Sequence, residues 1–406
     1  MRVGLLTTSF PRHASDSAGQ FVLGFTRALT GHGCALDVLT PEPRERIAPV
    51  SEPGLRVTHV RYLWPRSLQR TFYAAGAPEN LGRDPRAWLG PVPFTLALAA
   101  QTRARRRSWD AMVSHWALPC GLIAGELREH RPHLAVLHSA DVHALLRLPG
   151  RGRLARRIAR AASGLWFVTR GHRDAFLELL DPALRERAEA RSWAAPMGIE
   201  LPDRTLTPRS HARQTLGLSG CSVLALGRLV PIKGIDVLLR ASAGRGISLL
   251  IAGEGPERAR LTSLARELGV DARFFGEVSG RDKALLLTAA DALVVPSRVL
   301  PSGRSEGVPV AMLEAMAHGL PIVGSAVGGI GDVLPDDESA GLRVIAERPA
   351  ALAVALERVR DDVAWRTRAA AAARAIAERH AWSRAIEPAL AVLTVRNRSR
   401  EISPTP

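Results

Sequence analysis

The sequence predicts an α/β protein built of two doubly wound, Rossmann-like domains that face one another across a cleft. Three observations carry that expectation. Strand-like apolar runs alternate with helix-period segments almost throughout, which implies parallel sheets with helices on both faces. The alternation is interrupted once, by the proline-containing polar stretch LPDRTLTPRSHARQTLGL that begins at Leu201, and then restarts. A chain of 406 residues is too long for one ordinary core, and two domains of roughly 200 residues are the natural division.

Taken in order, RVGLLTTSF (2–10) reads as a first strand, and FVLGFTRALTGHG as a helix that ends on a Gly-His-Gly stop. ALDVLT (35–40), LRVTHV (55–60), WDAMVSH (109–115), LAVLHS (134–139) and GLWFVTR (164–170) are the further strands of the first half. Residues 63–90 carry Pro, Gly, Arg and aromatics without strand periodicity. They are either an insertion beside a binding face or an irregular surface connection. CSVLALG (221–227) opens the second half, followed by ISLLIAG, ARFFGEV, DALVVPS and PIVGSAV. The expected division is a first domain over 1–200, a linker over 201–217 and a second domain over 218–379.

Composition excludes several classes. With 46% hydrophobic and 23% charged residues the chain is globular, not disordered. The longest apolar run, PVPFTLALAA (91–100), is shorter than the ~20 residues of a membrane span, and the N-terminus reads as a strand, not a secretory signal. Cys34, Cys120 and Cys221 are scattered, which argues against a disulfide framework or a structural zinc site and for a reducing cytoplasm. The net charge of +16 is carried almost wholly by arginine, Lys233 and Lys283 being the two lysines. Clusters at 101–109 and 151–160 are either a solvated surface or a contact with an anionic membrane.

In a doubly wound sheet ligands collect beyond the carboxyl ends of the strands. DALVVPS is followed by a loop, then by a helix VAMLEAMAH with Pro309 expected in its first turn and Gly319 as its stop. Glu306 falls just before that helix and Glu314 about one turn inside it. Free N–H groups at the helix start suit a phosphate or sugar oxygens, whereas the two carboxylates suit hydroxyl donors. A nucleotide sugar has both. The open alternative is that Glu306 meets the helix dipole and Glu314 a solvated face. Arg228 and Lys233 follow the strand CSVLALG, where two cations can neutralise a diphosphate as its charge develops, or form a solvated pair. Gly253, Glu254 and Gly255 make a turn through which backbone can approach a ligand, and GGIGD (328–332) is a similar turn. Gly19 lies in a loop before a helix; His115 and His138 stand at strand ends, with Asp141 three residues beyond His138.

Together GRLVPIKGIDVLLRA, LLIAGEGPERARL, FFGEV and SEGVPVAMLEAMAHGLPIVGSAVGGIGDVL, with its E-x7-E pattern, resemble the retaining GT-B glycosyltransferases of glycosyltransferase family 4 (glycosyl transferases group 1). In the first half SFPR…SAGQFV, HWALPCGL, LHSADVH and PMGI fit the same family, so the resemblance spans nearly the whole chain. It implies that Arg228 and Lys233 grip the donor diphosphate and that Glu314 holds the ribose hydroxyls. Glu306 and the backbone through Gly307, Val308 and Val310 would hold the donor sugar, and the turn Gly253–Gly255 would lie along the donor. His138 would lie near the sugar's reactive end, and Gly19 would let the first loop approach the phosphates. The terminal helix, 380–398, would return to the first domain with a bend at Pro388.

This chain departs from the pattern at Val308-Pro309, where many members have Phe-Gly, and in HSAD and Ala18-Gly19. No Asp-x-Asp pair stands at a strand end, so no metal and no cofactor beyond the nucleotide-sugar co-substrate is implied. The expected activity is a retaining, metal-independent hexosyl transfer from a UDP- or GDP-sugar to a glycan or lipid-linked acceptor of cell-envelope polysaccharide or glycolipid synthesis. It would proceed in the cytoplasm or against the inner face of the plasma membrane. The rival enzyme is a nucleotide-sugar epimerase of the same fold. A basic nucleic-acid-binding protein is the remote rival, which the low aromatic content of 5% and the lack of any recognition motif disfavour.

Overall fold

The computed structural model describes residues 1–401 apart from 14, 15, 17, 74, 75 and 203–206, and leaves the side chains of 78 and 396–401 aside. The chain divides into two compact units, Met1–Gly198 with Trp382–Pro406, and Ile199–Ala381. The first is laid on a seven-stranded parallel sheet of β1 (Arg2–Leu6), β2 (Ala35–Pro41), β3 (Leu55–Val60), β4 (Ala111–His115), β5 (His133–Leu137), β6 (Gly164–Phe167) and β7 (Ser192–Ala194), in the order β3-β2-β1-β4-β5-β6-β7. The second holds β8 (Ser222–Leu226), β9 (Ser248–Ala252), β10 (Ala272–Gly276), β11 (Ala292–Val295), β12 (Ile322–Ser325) and β13 (Gly341–Val344), ordered β10-β9-β8-β11-β12-β13. The strand order reverses beside β1 in one sheet and beside β8 in the other. The crevices where doubly wound sheets take ligands therefore open between β1 and β4 and between β8 and β11.

Continuous apolar runs make the central strands because both faces of each sheet are covered. In the first unit the helix Gln20–Gly31 and the C-terminal segment cover one face through Phe25, Leu29, Trp382 and Ile386, packed with Trp166 of β6. The helices Pro91–Arg105, Leu122–Leu127 and Arg151–Ala161 cover the other, with Phe94, Leu98, Ile123 and Ile158 turned inward. Trp382 fixes the return of the terminal segment. A Cβ at Gly24 or at Gly198 would stand 2.5 Å from its indole, so glycine is required at both places. The terminal segment breaks at Ile386, between the helices Trp382–Ala385 and Glu387–Glu401. The expected bend at Pro388 therefore comes two residues early, and Pro388 sits in the first turn, where its missing N–H costs nothing.

The expected linker 201–217 needs correction. Residues 203–206 lie outside the described residues, but Arg209–Thr215 is a helix of the second unit. Arg209 and Arg213 reach the buried Asp291 at 2.7 and 3.2 Å, and the Ser222 N–H donates to the same carboxylate at 2.9 Å. Residues 63–90 are likewise ordered into short turns, Arg66–Leu68 and Pro85–Leu89, around the helix Ala77–Arg83. Tyr62, Phe72 and Phe94 pack ring to ring beneath them, with centroids 4.4–5.7 Å apart. β7 and β13, of three and four residues, were not read from the sequence as strands.

Candidate active site

β8 and β11 leave the sheet side by side, and their following loops bring the charged residues of the second unit together. After β8 the chain passes Gly227 and the exposed Arg228 to a single turn, Pro231–Lys233. After β11 comes Ser297, fully buried, and then the loop that carries Glu306. Lys233 Nζ forms an ion pair with Glu306 Oε1, and the Ser297 hydroxyl donates to Glu306 Oε2. Both charged side chains keep 14–18% of their surface exposed, so the pair is partly desolvated and still open to a ligand. A small pocket lined by Gly227, Lys233, Pro296, Ser297, Pro309 and Ala311 lies at this point. The helix that follows is Val310–Ala317. Pro309 has extended backbone, φ −64° and ψ 123°, and caps the helix from outside instead of occupying its first turn as expected. At the other end Gly319, at φ +73°, and Leu320 donate back to Met316 and Ala315 at 2.9 Å each, which closes the helix with a left-handed stop.

One turn into that helix, Glu314 accepts a hydrogen bond from Lys283 at 2.7 Å, reaching across from the helix Gly280–Ala289. Each glutamate of the E-x7-E pair is thus held by one of the two lysines of the chain. The rarity of lysine was the available signal for Lys283, and the strand-end position was the signal for Ser297. Neither was read from the sequence as a site residue.

The other predicted residues of this unit fall close by with different duties. Val308 and Val310 are partly buried, packed against the hydrophobic core. Gly307 is half-buried in the loop between Glu306 and Pro309. The Gly-rich turn after β12 supports Glu306: Gly329 donates to its carbonyl at 3.2 Å, and a Cβ at Gly328 would stand 2.0 Å from that oxygen. Gly253 and Gly255 need to be glycine because their own chain approaches. A Cβ at Gly253 would lie 1.9 Å from the Gly227 carbonyl oxygen, and one at Gly255 would lie 2.3 Å from that of Leu229. Glu254 accepts from the Leu229 N–H at 2.9 Å through its carbonyl, and its carboxylate pairs with Arg258.

In the first unit His138, at the end of β5, does not stand alone. Its Nε2 lies 3.1 Å from His115 Nδ1, at the end of β4, and its ring packs against Trp116 and Phe21 with centroids 4.8 and 5.2 Å away. Burial holds His138 at about 3, and burial with the neighbouring His138 takes His115 well below its usual value. The two rings are neutral, one donating and one accepting. Asp141 takes the Ala117 N–H at 2.5 Å, and burial raises its carboxyl to about 7. Its Oδ1, His115 Nε2 and Ser139 Oγ are buried without a hydrogen-bond partner among the described residues. Gly19, at φ +70°, precedes the helix Gln20–Gly31 and lies so close to Ser9 and Phe10 that a Cβ would meet both at 2.8 Å. Asp16, which the sequence did not single out, organises this loop by accepting from the Arg12 side chain at 2.6 Å and from the Ala18 N–H at 3.1 Å. Among the described residues no group of three or more His, Cys, Asp or Glu is arranged to hold a metal ion.

Comparison with known proteins adds to this geometry. Residues 213–376 match the family model of glycosyl transferases group 1. Over 408 residues the chain is 30% identical to a D-inositol 3-phosphate glycosyltransferase of Acidothermus cellulolyticus, covering 92% of this chain and 84% of that one. The corresponding protein of Actinosynnema mirum is 29% identical, over 93% and 92% of the two chains. Among solved structures, sucrose-phosphate synthase from Thermosynechococcus elongatus superposes with a TM-score of 0.73 at 24% identity, over 99% of this chain and 100% of that one. Anabaena HepE, solved in complex with UDP-glucose, gives 0.69 at 17% identity over 99% of each chain. These likenesses in structure establish the fold, two Rossmann-like domains in succession.

Proposed function

This chain belongs to the glycosyl transferases group 1 and is a glycosyltransferase of the GT-B fold, and from that premise we propose that it transfers a sugar from a nucleotide-diphosphate donor, a UDP- or GDP-sugar, with retention at the anomeric carbon. The observation that carries the proposal is the Lys233–Glu306–Ser297 cluster at the switch point of the second sheet, with Glu314 one turn beyond. Glu306, itself held by the Ser297 hydroxyl, pairs with the Lys233 ammonium where the diphosphate would lie, and Arg228 adds a second positive charge at the same strand end. As the anomeric C–O bond to the diphosphate breaks, negative charge grows on the departing oxygen, and pre-placed cations stabilise it without a metal. The acceptor oxygen bonds to the anomeric carbon on the same face, and its proton passes to the departing phosphate.

Glu314 would take the ribose hydroxyls and Glu306, with the backbone of Gly307 and Val308, the sugar. The neutral His138 would offer or accept a hydrogen bond at the sugar, since burial keeps it from carrying charge. The relatives are named for D-inositol 3-phosphate, a polyol bearing a phosphate. Their names favour an acceptor that presents hydroxyls beside an anionic group, in keeping with a glycan or lipid-linked intermediate of envelope synthesis.

The test is an assay with labelled nucleotide sugars and a panel of anionic polyol and glycolipid acceptors, with the product anomer assigned by NMR. Acceptor-dependent release of nucleoside diphosphate with retained configuration is expected. Isomerisation of the donor with no acceptor present would replace this reading with an epimerase, and an inverted product would remove the same-face course.

A further inference from the structure

The outer face of one helical layer in the first unit has no part in the chemistry above. The helices Pro91–Arg105, Leu122–Leu127 and Arg151–Ala161 lie side by side over the sheet, each packed on the next. Phe94 and Leu98 of the first point inward and are fully buried, whereas Val92 and Leu96 of the same helix are 68% and 67% exposed. The turn in front of it exposes Trp88 and Leu89 by 66% and 52%. Trp64, 76% exposed, stands on the adjoining turn, which the Arg70–Asp84 ion pair at 3.0 Å ties to this one. Single exposed apolar side chains are ordinary, but adjoining ones that include two tryptophans form a patch.

The charge around that patch is mainly positive; of the carboxylates just ahead of it, Asp84 is paired with Arg70 and Glu79 lies in the helix Ala77–Arg83. No Asp or Glu occurs from Pro85 to Trp109 or within the Arg151–Ala161 helix. Arg103 and Arg107 are exposed beyond Leu96, and Arg153 and Arg160 are exposed on the outer side of the third helix. The carboxylates of this layer, Glu126 and Glu129, are already bridged, the first by Arg157 at 3.0 Å and the second by Arg106 and by Arg131 at 2.7 Å. Among the described residues no helix is long and apolar enough to cross a membrane, so a lipid contact here would be peripheral.

We propose that this face docks on an anionic bilayer surface, with Trp88, Leu89, Val92 and Leu96 entering the headgroup–acyl boundary and the flanking arginines lying over acidic headgroups. Tryptophan suits that boundary because its ring is a broad apolar surface with one polar edge, which in Trp88 donates to the Leu81 carbonyl at 2.9 Å. Guanidinium groups gain from the negative surface potential while their stems stay in contact with apolar surface. A second copy of the chain fits less well, because symmetric pairing would set the arginine rims against each other. A polynucleotide would leave the apolar centre without a partner, since its phosphates need cations there. The proposal holds whichever donor and acceptor the enzyme uses.

Co-sedimentation of the full chain with phosphatidylcholine vesicles, with and without phosphatidylglycerol, tests it. At about 0.15 M salt the wild type should partition roughly tenfold more to the anionic vesicles. Val92→Asp with Leu96→Asp, and separately Arg103→Glu with Arg153→Glu, should each reduce that partition by roughly tenfold with unchanged thermal unfolding and nucleotide-sugar binding. Should the aspartates prevent folding, Trp88→Ser with Leu96→Ser reads the same loss. Equal partition to neutral vesicles overturns the proposal, and so does an apolar variant that binds like wild type. Self-association abolished by the same substitutions, or binding of an oligonucleotide without vesicle partition, also overturns it and assigns the face to that occupant.

Discussion

The two switch points of this molecule are built by opposite means. Beside β8 the side chains are charged and partnered: Lys233 with Glu306, and Lys283 with Glu314, each pair retaining some contact with solvent. Beside β4 the polar side chains are buried and neutral, with His115 and His138 sharing one hydrogen bond and Asp141 resting on a backbone N–H. A donor diphosphate brings charge that the first arrangement can answer by exchanging carboxylate for phosphate at the lysine. The second arrangement offers neutral donors and acceptors without the cost of burying an ion. The difference teaches that similar sheets can present different chemistry at equivalent switch points, paired charges in one and buried neutral groups in the other.

The comparison is most easily broken at Lys233. Lys233→Ala should lower turnover roughly 100- to 1000-fold, because it removes charge from the departing diphosphate and leaves Glu306 facing it. Steady-state kinetics with circular dichroism to verify folding checks this, and near-normal turnover would detach the charged cluster from catalysis. Gly253→Ala should destabilise the second unit by about 2–3 kcal/mol, since the added methyl overlaps the Gly227 carbonyl. Denaturant unfolding measures it.

The neutral site makes a pH prediction with opposing signs. His138, and the buried His133 at the start of β5 beside Ser114, are held at about 3, so their contribution is complete above the ordinary histidine range and is lost as pH falls toward 3. Asp141 is raised to about 7, so its contribution is complete below the ordinary carboxylate range and is lost as pH rises toward 7. Between pH 4 and 6.5 the two slopes oppose one another, and Asp141 offsets one buried histidine. Asp141→Asn keeps an acceptor for the Ala117 N–H and removes that offset. Its stability should therefore fall more steeply on acidification, by about 1.4 kcal/mol per pH unit. Thermal unfolding at several pH values reads the slope, and parallel curves for the two proteins would show that Asp141 is already ionised. The smallest effect is expected at Lys283→Gln. The pair is 27–32% exposed, so less than about 1 kcal/mol is at stake. The donor KM should rise a few-fold with kcat unchanged, and an equal change in both would give Lys283 a part in the transition state.

The sequence made the charged site legible and left the neutral one half-read. Glu306 and Lys233 stand out because polar residues in the loops beyond buried strands have few structural reasons to be there, and Glu314 stands out through the E-x7-E spacing. The alternation of apolar runs likewise located eleven of the thirteen strands, all but β7 and β13. Pairing is a three-dimensional property, and nothing in the chain told that Lys233 answers Glu306 and Lys283 answers Glu314. Gly253 and Gly255 signalled a close approach correctly, but the approaching group is the backbone at 227 and 229. His138 and His115 were each visible as strand-end residues, whereas their pairing and the packing of Phe21 and Trp116 on His138 join segments far apart in the chain. The apolar run at 91–100 was noticed only as too short to cross a bilayer. Its division into a buried and an exposed face depends on which side of the helix meets the sheet.

The account rests on a nucleoside diphosphate meeting Lys233 in the second unit. Thermal shift with UDP-, GDP- and ADP-sugars, on wild type and on Lys233→Ala, tests this most directly, because a ligand that binds only the folded state raises its melting temperature. At least one donor should stabilise the wild type, with its apparent Kd weakened roughly tenfold or more in the variant. Equal stabilisation of both proteins, or none by any nucleotide sugar, would contradict it.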